Sequence, residues 1–397
     1  MRLLALLLTA VLLTPVLSIT VALWAQGGTV LEQADAAFRA GDLAQAAALA
    51  RKALAQDPRS VHAHMILGII AAQANQWKDA DSRFQSVIKL EPRNPYGHFY
   101  LGQSALYQQQ WEQAVRQFSK ALEYNYPDQQ RLMIGLAVAQ NEAGQPQPAL
   151  ENLGKIQPPA EGPLAAQYYS TQAFALGKLN QPSAAIEAIR RAHDLDDSSP
   201  QSWEFLINAL ISTDETYKAL VEAIQAQKKF PDDPQIQYLF AIASYYVTES
   251  PLTSLALRNL READPQSPRV LLVEGLLYRK QGKAQEAMRT FTQAAAKGVP
   301  DAHLLLGLLH KENGDYEAAE REFREAESAN PANGQVLLEL GKLLLVRGNL
   351  KEAQVRLEKA LAAMPDAPGV HYQLGLLYGR LGETEKAQQH LRLSRQP

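Results

Sequence analysis

Eight histidines and a few adjacent carboxylates are the residues through which this chain could do chemistry. Imidazoles can hold a metal or move protons, and paired carboxylates can do acid–base work. Their spacing argues against both. His62 and His64 are two apart on a helical stretch, so they point to nearly opposite faces. His303 and His310 share a face, but seven residues of helix separate them by about 10 Å. Ligands of one tetrahedral metal lie within roughly 4 Å of each other. Asp196–Asp197 and Asp232–Asp233 precede new helices, where a helix N-terminus favours negative charge, so capping is their expected role.

The chain has no cysteine, which removes disulfides, thiolate metal sites, thiol nucleophiles and lipid-bearing cysteines. No nucleophile elbow, zinc-protease helix or phosphate loop occurs, and glycine serves as packing and turn punctuation. The expectation is therefore no catalytic residue, no metal ligand and no cofactor. Hydrophobic residues make up 46% and charged residues 20%, the profile of a folded protein. Net charge is −3 with acids and bases intermixed, so a clustered phosphate-binding surface, and with it nucleic acid, is not expected.

The elements that would position any site repeat with a period of 34 residues. Gly68 and Gly102 keep that interval, as do Ala80 and Ala114, Pro58 and Pro92, and Gly307, Gly341 and Gly375. Ala319, Ala353 and Ala387 follow it, with Pro231 and Pro265 and with Pro331 and Pro365. Such a beat marks stacked helical pairs sharing a continuous core. In Val61–Pro92, Leu67, Ile70, Ala71 and Ala74 recur at helical spacing, Asn75-Gln76 marks a turn, and Ala80, Phe84, Val87 and Ile88 line a second amphipathic helix. Gly68 and Ala80 let two helix backbones approach closely. Phe84 fills the space towards the next pair, and Pro92 ends the unit.

The motifs LGQSALYQQQWEQAVRQFSKA, LGLLHKENGDYEAAEREFREA and LGKLLLVRGNLKEAQVRLEKA carry this pattern in one phase. It resembles the tetratricopeptide repeat, with Leu-Gly in the first helix, Ala then Phe in the second, and a closing Pro. The resemblance implies an all-α, right-handed superhelical solenoid of about eleven helix-turn-helix units running from Gly27 to Pro397. Two stretches depart from it. Pro146, Pro148, Pro158, Pro159 and Pro163 disturb the fourth unit, and the turn VTESP ending at Pro251 alters the seventh. The expected organisation is four repeats over 27–157, a Pro-rich junction at 158–165, and seven repeats over 166–397.

The family binds protein segments in a concave groove lined by the first helix of each unit. Carried onto this sequence, that implies a groove containing Tyr96, Phe99, Gln103, Tyr107, Phe174, Phe205, Asn208, Tyr238, Tyr245, Arg279, Lys280 and Lys311. Each aromatic among them could equally be a core residue turned between helices. His64, His98, His303 and His371 fall at the fourth position of their units, where the family often places an aromatic, so packing within the helical pair is expected. Some relatives clamp the C-terminal carboxylate of chaperones with Lys and Asn from successive units. Here Asn208 has Glu204 one turn before it and the Lys280 and Lys311 region lacks the asparagines, so that role is not expected.

Residues 1–25 read as a leader. Arg2 precedes a run from Leu3 to Ala25 without a charge, long enough to span a bilayer. A cleaved signal peptide and an uncleaved anchor both fit, and in both the repeats face outward. The sequence thus describes an exported or membrane-anchored, non-catalytic scaffold that binds protein partners, touching membrane only through its N-terminal segment. An assembly factor for an envelope export or outer-membrane biogenesis machine and a regulatory subunit of an enzyme complex are the alternatives.

Overall fold

The computed structural model describes residues 29–247, 251–365 and 367–395. Residues 1–25, expected from sequence to be a leader, lie outside them, as do residues 248–250 of the seventh turn. Twenty-two helices and no strand occur among the described residues. In chain order they fall into eleven pairs. The first five are α1 (Val30–Arg39) with α2 (Leu43–Gln56), α3 (Val61–Gln73) with α4 (Trp77–Leu90), α5 (Pro95–Tyr107) with α6 (Trp111–Glu123), α7 (Gln129–Glu142) with α8 (Pro146–Leu153), and α9 (Gly162–Lys178) with α10 (Pro182–Leu195). Next come α11 (Pro200–Ser212), α12 (Thr216–Lys229), and α13 (Pro234–Val247) with α14 (Pro251–Ala263). The last four pairs are α15 (Pro268–Lys280) with α16 (Ala284–Ala296), α17 (Pro300–Glu312) with α18 (Tyr316–Ala329), α19 (Gly334–Val346) with α20 (Leu350–Ala363), and α21 (Pro368–Leu381) with α22 (Thr384–Leu393).

The chain divides into two compact units, Met1–Ala209 and Leu210–Pro397. The Pro-rich stretch at 158–165 lies inside the first, and α9 begins within it at Gly162. Among the described residues no helix is long and apolar enough to cross a membrane.

Local chemistry sets the helix ends. Thr29 opens α1 with a capping box: its hydroxyl accepts from the Glu32 amide at 3.2 Å, and its own amide donates to the Glu32 carboxylate at 3.0 Å. Asp233 caps α13 by accepting from the amides of Gln235 and Ile236 at 2.9 and 3.0 Å. Asp196 instead closes a turn onto the Ser198 amide. Between the two helices of each pair whose turn is described, the chain passes through a left-handed residue. Glycine holds that place at Gly41, Gly144, Gly282, Gly314, Gly348 and Gly382, whereas Asn75, Gln109, Asn180 and Asp214 hold it with a side chain.

One contact explains the close approach of the paired helices. A Cβ built on Gly68 would lie 2.5 Å from the Phe84 ring, and one on Gly102 would lie 2.9 Å from the Phe118 ring. Gly275 meets Phe291 and Gly307 meets Phe323 in the same way. Gly341 and Gly375 repeat it against Leu357 and Leu391, at 2.7 and 2.6 Å. Phe118 also lies 3.2 Å from the Cβ position of Gly135 in the next pair, so the ring joins its own pair to its neighbour.

The fourth-position side chains tie the turn between pairs. His64, His98 and His371 bring Nε2 to the carbonyls of Pro58, Pro92 and Pro365 at 3.2, 3.0 and 2.8 Å. Trp203 donates to the Asp197 carbonyl at 2.9 Å, and Gln237 to that of Pro231 at 2.8 Å. All reach back six residues, satisfying a carbonyl that the helix ladder leaves open. These histidines are structural tethers between units as well as packing groups. Among the described residues no cluster of His, Asp and Glu has the form of a metal site.

The candidate protein-binding face

Within each unit, successive first helices pack against one another: α1, α3, α5, α7 and α9 in the first unit, and α13 with α15 and α19 with α21 in the second. First helices therefore line one continuous side of each stack. The residues singled out from sequence sit on these helices, but in different roles.

In the first unit the aromatics mostly pack on one another. Tyr107 stacks on Trp77 with ring centroids 4.4 Å apart. Tyr96 is half-buried and meets the edge of Tyr126 at 5.3 Å. Phe99 is only 1% exposed and stacks on Tyr126 at 4.1 Å, and Gln103 is 2% exposed. Both therefore belong to the interior and leave the candidate face, because a side chain already enclosed has no surface for a partner. The partly buried Tyr100 packs against this core cluster, and burial pushes its phenol up to about 12 despite the nearby Arg131. Phe174 lies under the Lys178 ammonium, 4.5 Å from its ring centroid. Phe205 packs over Gly177, and Asn208 is exposed.

In the second unit, aromatics and charges alternate. Arg269 lies 4.8 Å from the centroid of the half-buried Tyr238 and donates to the Gln235 side chain. The Tyr238 phenol is pushed well up, first by burial and then by the negative Asp301. Lys280 lies 5.1 Å from the Tyr245 ring centroid and donates to the Tyr245 carbonyl at 2.8 Å. Arg279 pairs with Glu312. Lys311 and Lys342 both bond to Glu339, the second at 2.7 Å. Burial opposes the Glu339 charge, but the hydrogen bonds and charges of the two lysines prevail and hold its carboxyl below the usual carboxylate range.

Arg279, Lys280 and Lys311, expected in the groove, are thus engaged in holding first helices together. The pattern recurs: Lys178 donates to the Asn141 carbonyl, Lys280 to that of Tyr245, and Arg380 to that of Leu345 at 2.6 Å. Each last-turn cation meets the negative C-terminal end of the preceding first helix.

Exposed apolar groups on first helices were missed from the sequence. Tyr246 is 56% exposed, Val346 66%, Tyr372 48% and Leu376 40%. The signal was available, since Tyr246 and Val346 precede Lys280 and Arg380 by one repeat interval. The face can desolvate apolar side chains at these points, and Asp301 and Arg279 lie close to Tyr246.

The tetratricopeptide repeat profile matches residues 31–95, 99–153, 272–334, 304–368 and 338–396, together more than half of the chain. Human tetratricopeptide repeat protein 7A is 40% identical over 62 residues, 16% of this chain and 7% of that protein. The chain thus spans a small fraction of that relative's length. Among solved structures, the APC/C hetero-tetramer Cut9-Hcn1 aligns at 12% identity and a TM-score of 0.47, covering 92% of this chain and 86% of the matched one. Yeast Tom70 aligns at 12% identity and 0.44 over 92% and 90% of the two chains. Pseudomonas aeruginosa pilF aligns at 18% identity and 0.39 over 50% and 92%. With the repeat phase, the glycine contacts and the matched profile in agreement, the chain belongs to the tetratricopeptide repeat family.

Proposed function

We propose that this chain is a non-catalytic scaffold of the cell envelope that takes protein segments along its first-helix faces. Proteins built from this repeat mediate protein–protein interactions. The observation that carries the reading is the set of exposed apolar side chains, Tyr246, Val346, Tyr372 and Leu376, on helices that line one side of the second unit. Aromatic anchors on such a surface commonly carry most of an interface's energy. The envelope part rests on Arg2 and the uncharged run from Leu3 to Ala25. Roles as an assembly factor for an export machine or as a regulatory subunit use the same face and differ only in the client.

Two experiments test this reading. A Tyr246→Ala, Tyr372→Ala double variant should lose about 2 kcal/mol or more of affinity for a partner isolated with the full chain, while keeping its helicity. Undiminished binding by the folded variant rejects the face. A reporter active only outside the cytoplasm, fused after Pro397, should be active. A silent reporter, with a cytoplasmic one working, rejects the envelope.

A further inference from the structure

One contact recurs between the two helices of a pair, across nineteen residues, and its chemistry changes along the chain. His98 Nδ1 meets Gln117 Oε1 at 2.7 Å, and His303 Nδ1 meets Glu322 Oε2 at 2.8 Å. In the last pair His371 Nδ1 meets His390 Nδ1 at 2.9 Å, which sets base against base.

The hydrogen positions follow from the partners. His371 Nε2 lies 2.8 Å from the Pro365 carbonyl, which can only accept, so Nε2 carries the hydrogen. Neutral His371 then offers a lone pair at Nδ1, and His390 Nδ1 must be the donor. A proton added to His371 at Nδ1 would set two N–H groups facing each other. A proton added to His390 at Nε2 leaves the bond intact but places a cation in a half-buried site.

The surroundings give that cation little help. On α22, Lys386 is paired with Glu383 at 2.6 Å and lies 5.0 Å from the Tyr378 ring centroid. On α21, the Tyr378 ring stacks on His390 at 5.5 Å. On α20, Glu358 accepts from the Tyr378 hydroxyl at 2.9 Å. Both carboxylates are thus occupied by other groups.

We propose that the last helical pair is an acid-weakened latch, closed by the single hydrogen that His390 donates to His371 and destabilised when a further proton makes the half-buried His390 a cation. Burial, then His371 and Lys386, hold His390 below its ordinary titration range. The unfolded chain therefore binds this proton first, near pH 6.5, and the stability of the closed pair falls as pH drops through that value. In the ninth pair His303 faces a carboxylate, Glu322, rather than a second imidazole, so that pair lacks the base-against-base contact. Opening would release Leu374, Leu377 and the Gly375–Leu391 contact, and with them the α21 surface that carries Tyr372 and Leu376.

Hydrogen exchange of the full chain, corrected for intrinsic rates, tests the latch at pH 7.5 and 5.5. Opening of residues 368–393 should rise on acidification, by roughly tenfold for each pH unit separating folded and unfolded titration of His390. Residues 300–329 should not share the rise. His390→Gln recreates the His98–Gln117 pairing and should abolish the pH response while keeping protection at pH 7.5. If that variant loses protection at pH 7.5, His371→Gln serves instead, since Gln237 makes the same tether to Pro231. A flat wild-type response, or an equal rise in the folded glutamine variant, overturns the proposal.

Discussion

The third and tenth helical pairs are built on one plan and stabilised by different chemistry. Both place a glycine against a large side chain of the second helix, Gly102 on Phe118 and Gly341 on Leu357. In the third pair the first helix is fixed by rings, with Tyr107 on Trp77 and Phe99 on Tyr126. In the tenth it is fixed by charge, with Glu339 between Lys311 and Lys342 and Arg380 on the Leu345 carbonyl. The repeat therefore prescribes the small-to-large contact between helices and leaves the side of the first helix open to variation. That freedom lets one pair add to the core while another leaves Val346 exposed.

The shared plan should fail hardest. Gly341→Glu puts a Cβ 2.7 Å from Leu357 and a charge where no partner waits, and should cost about 4 kcal/mol or more. A melting temperature within a degree of wild type would show that the repeat phase is misassigned. Glu339→Ala comes next. It leaves two ammonium groups together beside a buried site and should cost about 2–3 kcal/mol, with partial recovery in high salt. The carboxyl of Glu339 titrates below its ordinary value, so its contribution is present above about pH 4.5 and is lost as pH falls through the folded value. Stability of the wild type minus that of Glu339→Ala should shrink over that acid range, and a difference constant to pH 3 would contradict the assignment.

Tyr107→Ala probes the aromatic side and should cost about 2 kcal/mol through lost packing on Trp77. Denaturant melts at low and high salt should give the same loss, unlike those of Glu339→Ala. The smallest expected effect is a gain. Gln109 holds a left-handed turn at φ 58° where the tenth pair uses Gly348 at φ 82°. Gln109→Gly should stabilise the third pair by about 1 kcal/mol, and no gain in the denaturation midpoint would mean that the Gln109 side chain offsets the strain.

Much of this architecture was legible in the sequence. The 34-residue interval located the helices and the turns because these depend on residue size at fixed positions. Asp233 was readable as a cap for the same reason. The interval marked Gly68 and Phe84 as a small and a large residue but sent Phe84 towards the next pair, whereas the ring also packs on Gly68 of its own pair. The faces were less legible. Phe99 and Tyr96 are three residues apart on α5, yet one is core and the other half-buried, because Tyr126 from the following turn closes over Phe99. Lys280 read as a groove residue, since nothing local reveals that a carbonyl of the preceding first helix lies in reach. The tether from His371 to the Pro365 carbonyl was hidden because a fourth-position aromatic and a fourth-position hydrogen-bond donor look alike in pattern.

Site-specific photo-crosslinking tests the central claim most directly. A photoreactive residue is placed at Tyr246 or Tyr372 on first helices, and in parallel at Tyr217, Tyr316 or Val355, exposed positions on second helices. The account predicts that a given protein partner is captured from the first-helix positions and not from the second-helix ones. Capture of that partner from Tyr217, Tyr316 or Val355 alone would contradict it.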